Sequence, residues 1–397
     1  VIQPNAKAES LGPDVDFLQA AFRGARFLIV PGHFDYFGGA ERQSVLLAGE
    51  LISRYQCHVD FLGWGGNGVL ADKVRSIGSR PFLFALDQNE QGLRRIWSLF
   101  RLARFIRKEL RPEYVLPFVG YHCKVIGSIW KHTGARFTWW NQRDEGRLIH
   151  GTGTEHRLLR SLPAVVSNSF EGRDFLVQKF GLAPDRIRVI NNGVEIPATC
   201  DRTLWRTRLG LKDDEILFAM IANLTQYKDH ATLLKAFATL RKTKIGRRCR
   251  LVFAGEHGAT TQMLKAMAFD LGLCDSVTMI GAINDMTSLL AATDIVVHSS
   301  TKEGCPNGAL EAMAQGKCVL GTDISGMRQA LGKSASGRLL APTGDFNRLA
   351  ELMVEFASSP QLRDAVGSEN LGRIRSEFTV EKMTREVLQT ILEHRVR

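Results

Sequence analysis

The sequence predicts an α/β protein of two doubly wound, Rossmann-like domains, and three observations carry that prediction. The chain has 397 residues, enough for two or three domains at roughly 100–200 residues each. From Arg26 onward, short apolar runs alternate with longer amphipathic stretches, the rhythm of a parallel sheet buried between helix layers. The rhythm breaks once, in EIPATCDRT after Val194, where Pro197 and a loss of periodicity mark a linker.

Residues 1–24 lack periodicity and read as a mobile leader. The N-terminal domain, 25–195, then opens with the strand RFLIV (26–30), a turn, and a helix from Gly39 to about Arg54. Strands follow in HVDFLGW (58–64), PFLFAL (81–86), YVLPF (114–118), RFTWW (136–140), PAVVSNS (163–169) and IRVINNGV (187–194), with helices over 93–111 and 122–132. The C-terminal domain, 196–397, restarts the pattern in EILFAMIA (215–222), RLVFAG (250–255), SVTMIG (276–281), DIVVHSS (294–300) and KCVLG (317–321), each followed by a helical stretch. The last helix is expected to pack back on the N-terminal domain.

Composition narrows the function classes. Hydrophobic residues make up 44% and charged residues 23%, which is globular and not disordered. No apolar run approaches the roughly 18–20 residues that span a bilayer, so a cytoplasmic protein is expected. Seven dispersed cysteines without a C-x-x-C pair argue against a disulfide framework or structural zinc. The net charge is +11, with +7 in residues 1–197 and +4 in the rest, which suits a polyanionic partner. The helix LRRIWSLFRLARFIRKELR is read as packing one apolar face, from Leu93 through Ile96, Trp97, Phe100 and Ala103 to Ile106 or Arg107, on the first sheet. Its arginines are then left to solvent or to an anionic membrane at the inner face of the plasma membrane.

In open α/β sheets ligands bind outside the carboxyl ends of the strands, so the loops there hold the candidates. In PGHFDYFGGAER, Gly38 and Gly39 lie between strand and helix, where backbone can approach a ligand at a helix N-terminus. In ANLTQYKDH, Lys228 stands at a helix start, placed to neutralise a diphosphate. In HSSTKEGCPNGALEAMAQGK, Glu303 and Glu311 are eight residues apart, one in a loop and one in the helix beginning near Asn307. There Glu311 can accept the paired hydroxyls of a ribose and Glu303 those of a sugar, while the amides of Gly304, Cys305 and Gly308, past Pro306, face phosphate. The pair Asp14 and Asp16 lies in the leader and precedes no strand, and His150 and His156 are spaced too loosely for a metal.

These segments, together with VSNSFEGRDFLVQKFG and RIRVINNGV, resemble the retaining glycosyltransferases of family 4, from about Arg26 to the C-terminus. The resemblance implies the GT-B fold, with two domains facing a cleft, and transfer of a glycosyl unit from a nucleotide-diphosphate sugar to a saccharide or lipid-linked acceptor in bacterial polysaccharide or glycolipid assembly. It implies that Lys228 contacts the diphosphate, Glu303 the transferred sugar and Glu311 the ribose, with Gly38 and Gly39 reaching the donor from the other domain. No metal or other cofactor is implied, and nucleic acid is not an expected partner. Two departures stand out. Where many members carry an arginine beside the diphosphate lysine, this chain has Asn223 and Thr225, and the histidine expected after the fourth strand is represented by His122. Arg143 and Asp144 in WWNQRDEG are candidates for acceptor or phosphate contacts. A nucleotide-sugar epimerase or hydrolase, or a non-catalytic nucleotide-sugar-binding protein, remains as an alternative on the same fold.

Overall fold

The structure is a computed structural model that describes residues 15–147, 149–198 and 201–395. The N-terminal sheet is assembled from β1 (Arg26–Gly32), β2 (His58–Gly63), β3 (Arg80–Leu83) and β4 (Tyr114–Pro117) in the order β3-β2-β1-β4. A second, three-stranded run of β5 (Trp139–Gln142), β6 (Ala164–Ser167) and β7 (Ile187–Val189) continues it. The two runs meet where Val115 N donates to Phe137 O at 3.0 Å, so RFTWW touches β4 at Phe137 and pairs with β6 from Trp139 onward. All the pairings are parallel, and β4, β5 and β6 are buried throughout, as a sheet covered on both faces requires.

The C-terminal sheet contains β8 (Ile216–Ile221), β9 (Cys249–Ala254), β10 (Val277–Gly281), β11 (Ile295–His298), β12 (Cys318–Thr322) and β13 (Leu340–Ala341) in the order β10-β9-β8-β11-β12-β13, again parallel. The order reverses at β8 and β11, and at such a switch point the loops diverge and leave a crevice. The loops carrying Lys228 and Glu303 follow those two strands. The final helix, Val380–His394, sets Met383, Val387, Leu388 and Ile391 into the N-terminal core beside Leu47, Ala48 and Leu51.

Two expectations are corrected. The leader over 1–24 is, in its described part, the helix Val15–Phe22, whose Leu18 and Phe22 are fully buried. The Phe22 ring lies 5.6 Å from that of Tyr114, so four-residue spacing over barely two turns is enough to dock it. Residues 1–14, including Asp14, lie outside the described residues. The second correction concerns the basic helix, which runs Gly92–Phe105 and continues as a π-turn over Ile106–Leu110. It buries Leu102, Ala103 and Ile106, while Leu93, Ile96, Trp97 and Phe100 are 84%, 64%, 62% and 57% exposed. The helix has two apolar stripes about a third of a turn apart, and the sheet takes the one through Leu102 and Ile106. Arg101, Arg104 and Arg107, also exposed, extend the other stripe.

No helix among the described residues is long and apolar enough to cross a membrane. The described cysteines, Cys57, Cys123, Cys249, Cys274, Cys305 and Cys318, are free thiols.

Candidate active site

A cleft of about 360 Å³ lies between the domains, lined by Gly38 and Gly39 from one side and by Asn223, Lys228, Glu303 and Glu311 from the other. Cys305, Pro306, Asn307 and Gly308 complete the C-terminal wall. The glycines are dictated by close approach. A Cβ on Gly39 would stand 2.5 Å from Asn307 Nδ2 of the other domain, and one on Gly308 2.5 Å from Ile221 O at the end of β8. The helix Gly39–Ser53 begins with Gly38 N donating to Glu41 Oε2 at 3.1 Å. Asn307, first residue of the helix Asn307–Ala314, accepts from Asn192 Nδ2 at 2.7 Å and from Gln43 Nε2 at 3.3 Å. That clasp aims the start of the helix, with its free amides and positive dipole end, into the cleft.

Three charged groups on the C-terminal wall, Lys228, Glu303 and Glu311, are paired. Lys228 Nζ bonds to Glu303 Oε1, which also accepts from Ser300 Oγ at 3.0 Å. Burial works to raise the Glu303 carboxyl, but the Lys228 charge and hydrogen bond, with His298 and Ser300, outweigh it and hold the group below its usual value. Glu303 is therefore a carboxylate at neutral pH although it is buried. Glu311 is bonded across the cleft by Arg42, from the first turn of the Gly39–Ser53 helix. A second cavity, of about 1010 Å³, is also lined by Arg42, Asn307 and Glu311, so that ion pair forms part of the wall between the two spaces.

The remaining candidates separate. Asn223 lines the cleft and its Oδ1 accepts from Glu256 N at 3.0 Å. The Cys305 thiol is pushed up to about 12 by burial and stays protonated. Arg143 joins the cleft from the loop after β5. Asp144 does not line it: its Oδ1 accepts from Gln142 Nε2 at 2.8 Å and from Gly146 N at 2.7 Å, closing its own turn. His122 is not at the cleft either. It is buried against Trp64, ring centroids 5.7 Å apart, and burial, with His33 nearby, drives its pKa down to about 3. The helix carrying it begins at Gly120 and sets the imidazole against the end of β1, where a Cβ on Gly32 would stand 3.0 Å from its Cε1.

Sequence reasoning missed Arg42, His298 and Asn192 as cleft residues. Arg42 sat inside the quoted GGAER turn, and one signal pointed to it: a cation three positions after the second glycine of a loop that faces a carboxylate-bearing wall. Among the described residues no three His, Cys, Asp or Glu side chains cluster to hold a metal ion.

Two family models match the chain: Glycosyltransferase Family 4 over residues 37–196 and Glycosyl transferases group 1 over residues 201–371. Together they span both domains, and the chain belongs to glycosyltransferase family 4. Its relatives include the D-inositol 3-phosphate glycosyltransferase of Saccharomonospora viridis, 28% identical over 53% of this chain and 51% of that protein. The putative glycosyltransferase EpsD of Bacillus subtilis is 29% identical over 53% and 54%, respectively. The chain thus spans about half the length of these curated relatives. Among solved structures, Anabaena Alr3699/HepE in complex with UDP and glucose superposes with a TM-score of 0.79 at 18% identity, covering 93% of this chain and 100% of that one. A glycosyltransferase from Rickettsia africae does so with 0.79 at 18%, covering 94% and 100%. The fold is accordingly the GT-B arrangement of two doubly wound domains facing a cleft.

Proposed function

We propose that the protein is a retaining glycosyltransferase that moves a sugar from a nucleotide-diphosphate donor to an acceptor hydroxyl in polysaccharide or glycolipid assembly. The observation that carries this reading is the convergence, in one cleft at a strand switch point, of Lys228, the amide-bearing start of the Asn307 helix and the two carboxylates Glu303 and Glu311. The structures solved with UDP on the same fold support a nucleotide-sugar donor.

On this reading Glu311 accepts the ribose hydroxyls, while Lys228 and the first amides of the helix take the diphosphate. Glu303 orients the transferred sugar, with Gly304, Cys305, Pro306 and Asn223 shaping the wall and Gly38 and Gly39 closing from the opposite domain. Negative charge grows on the departing diphosphate in the transition state, and a fixed ammonium beside helix amides stabilises it without reorganisation. The acceptor hydroxyl attacks from the face the diphosphate leaves and gives its proton to the departing phosphate oxygen, which retains the anomeric configuration. No metal is assigned a role, so turnover is expected to persist in EDTA.

The protein is read as peripheral at an anionic bilayer. The exposed stripe of the Gly92–Phe105 helix sets Leu93, Ile96 and the stacked pair Trp97 and Phe100, 5.7 Å apart, beside Arg101 and Arg104. Apolar groups at the hydrocarbon boundary with guanidinium groups at the headgroups make up the pattern of an interfacial helix. The test of the whole reading is a thermal-shift screen of UDP, GDP and ADP with and without attached sugars, followed by donor turnover with and without a lipid-linked acceptor. A transferase consumes donor only when acceptor is added; acceptor-independent consumption would favour a hydrolase or epimerase, and binding without turnover a sensor.

A further inference from the structure

Two pairs of cleft charges are matched, and a third cation is not. Lys228 has Glu303 and Arg42 has Glu311, but no ion pair is formed by Arg143, although its Nε is buried. One Arg143 terminal nitrogen donates to Asn192 Oδ1 at 2.8 Å, the guanidinium lies 5.4 Å from the Phe118 ring centroid, and Nε is buried without a partner. Glu41, whose charge is felt there, is engaged with Gly38 N. Beside it, Asn168 Oδ1 is likewise buried and unpartnered.

A guanidinium with a buried, unpartnered Nε and no carboxylate in ion-pair contact is costly to keep, and such perturbed groups cluster at functional sites. Burial lowers the Arg143 pKa to about 10, which leaves it charged at neutral pH. Its place in the cleft says which part of a ligand it meets. The residues shared with the second cavity, Arg42, Met286 and Glu311 among them, mark one end. Arg143, Asn168 and Glu303 are not shared, and the Arg143 carbonyl oxygen would lie 3.4 Å from a Cβ on Gly304. If Glu311 takes the ribose, Arg143 stands beyond the diphosphate, where the transferred sugar and the acceptor meet.

We propose that Arg143 receives an anionic group, a phosphate or a carboxylate, carried by the transferred sugar or by the acceptor, with Asn168 accepting from a neighbouring hydroxyl. The proposal rests on the donor orientation given above. It makes this a glycosyltransferase with a charged substrate at the reacting centre, a selectivity that nothing in the C-terminal motifs supplies.

The experiment uses the full chain, Arg143→Gln and Arg143→Lys. Glutamine removes the buried charge and keeps a donor for Asn192, so the unliganded Arg143→Gln protein should melt at or above the temperature of the parent. A melting point several degrees lower would mean that the arginine is structural and would overturn the proposal. Inorganic phosphate at millimolar concentration should raise the melting temperature of the parent and of Lys228→Ala, but not of Arg143→Gln; a shift that survives in Arg143→Gln overturns it. This arm needs no nucleotide, so it stands apart from failure of the donor reading.

Two titrations then identify the source. UDP-glucuronate binding at least tenfold tighter than UDP-glucose points to the donor sugar. In the UDP-loaded protein, glycerol 3-phosphate binding where glycerol does not points to the acceptor. Either preference should vanish in Arg143→Gln and return in part in Arg143→Lys, with UDP affinity unchanged. Absence of both preferences, or loss of UDP affinity in Arg143→Gln as large as in Lys228→Ala, refutes the assignment.

Discussion

Replacing Arg42 with glutamine is expected to tighten the binding of a nucleoside diphosphate. Glu311 is the carboxylate read as accepting the ribose, yet in the unliganded cleft it is bonded to Arg42 from the other domain. A ligand that needs Glu311 must first displace the guanidinium, so measured affinity is the intrinsic affinity less the free energy of that pair. The side chains are 37% and 15% exposed, which places the pair in the partly screened regime of about 0.5–1 kcal/mol. At about 1.4 kcal/mol per tenfold, Arg42→Gln should bind about two- to fivefold more tightly. Glu311→Ala loses a charge-assisted hydrogen bond of about 1.5–3 kcal/mol but also frees the ligand from the competition, so a net loss of roughly 1–2 kcal/mol is expected. Calorimetric titration of the parent, both single variants and the double variant closes the cycle: Arg42→Gln should have no effect once Glu311 is gone. If Arg42→Gln weakens binding, Arg42 is a ligand of the nucleotide and not its competitor, and the reasoning fails.

Lys228→Ala should lower the chemical rate more than it weakens donor binding, because charge on the leaving diphosphate grows toward the transition state; equal losses in single-turnover rate and affinity would count against that role. Arg101, Arg104 and Arg107 changed together to glutamine should remove about 1 kcal/mol each of attraction to anionic lipid. In vesicle sedimentation the change should cut partitioning by about two orders of magnitude, and Trp97→Ser with Phe100→Ser should weaken it even at high salt; unchanged partitioning in folded variants would make the helix plain scaffold. Acid should destabilise the fold through three buried histidines. Burial lowers His122 and His230 to about 3 and His298 to about 4, with Lys228 adding to the shift in the last two. Near 6.5 in the unfolded chain, each stays neutral in the folded state while the unfolded state gains a proton, so stability is complete above pH 6.5 and is lost as pH falls toward 4. At pH 5 the gap of about 1.5 units corresponds to about 2 kcal/mol for each. Denaturant unfolding at pH 7.5 and 5.0 measures it, with His230→Phe expected to be less acid-sensitive, and equal stability at the two pH values would refute the account.

What could be read from the sequence follows a physical division. Buried parallel strands write themselves as continuous apolar runs, so β8 and β9 are legible to within a residue, whereas β13, two residues long, leaves no such run. Glu303 and Lys228 were legible as cleft residues because a segment after a buried strand has few reasons to hold a charge at a fixed offset from glycines, and Glu311 because it follows in the helix that those glycines open. Their partners were not. That Arg42 faces Glu311 is decided by the docking of two domains, 269 residues apart in sequence, and no local pattern encodes it. His122 shows the converse: five residues after the end of β4, its ring stacks on Trp64 and does not line the cleft. The Gly92–Phe105 helix shows why periodicity alone stops short of function. A 3.6-residue period identifies a stripe but not what the stripe meets, and here two stripes compete. The sheet took the one through Leu102, Ala103 and Ile106, leaving a tryptophan, a phenylalanine and three arginines on the other. A packed helix has no need of that combination, and no described residue covers it, which is why the vesicle measurement is the one that decides what the stripe meets.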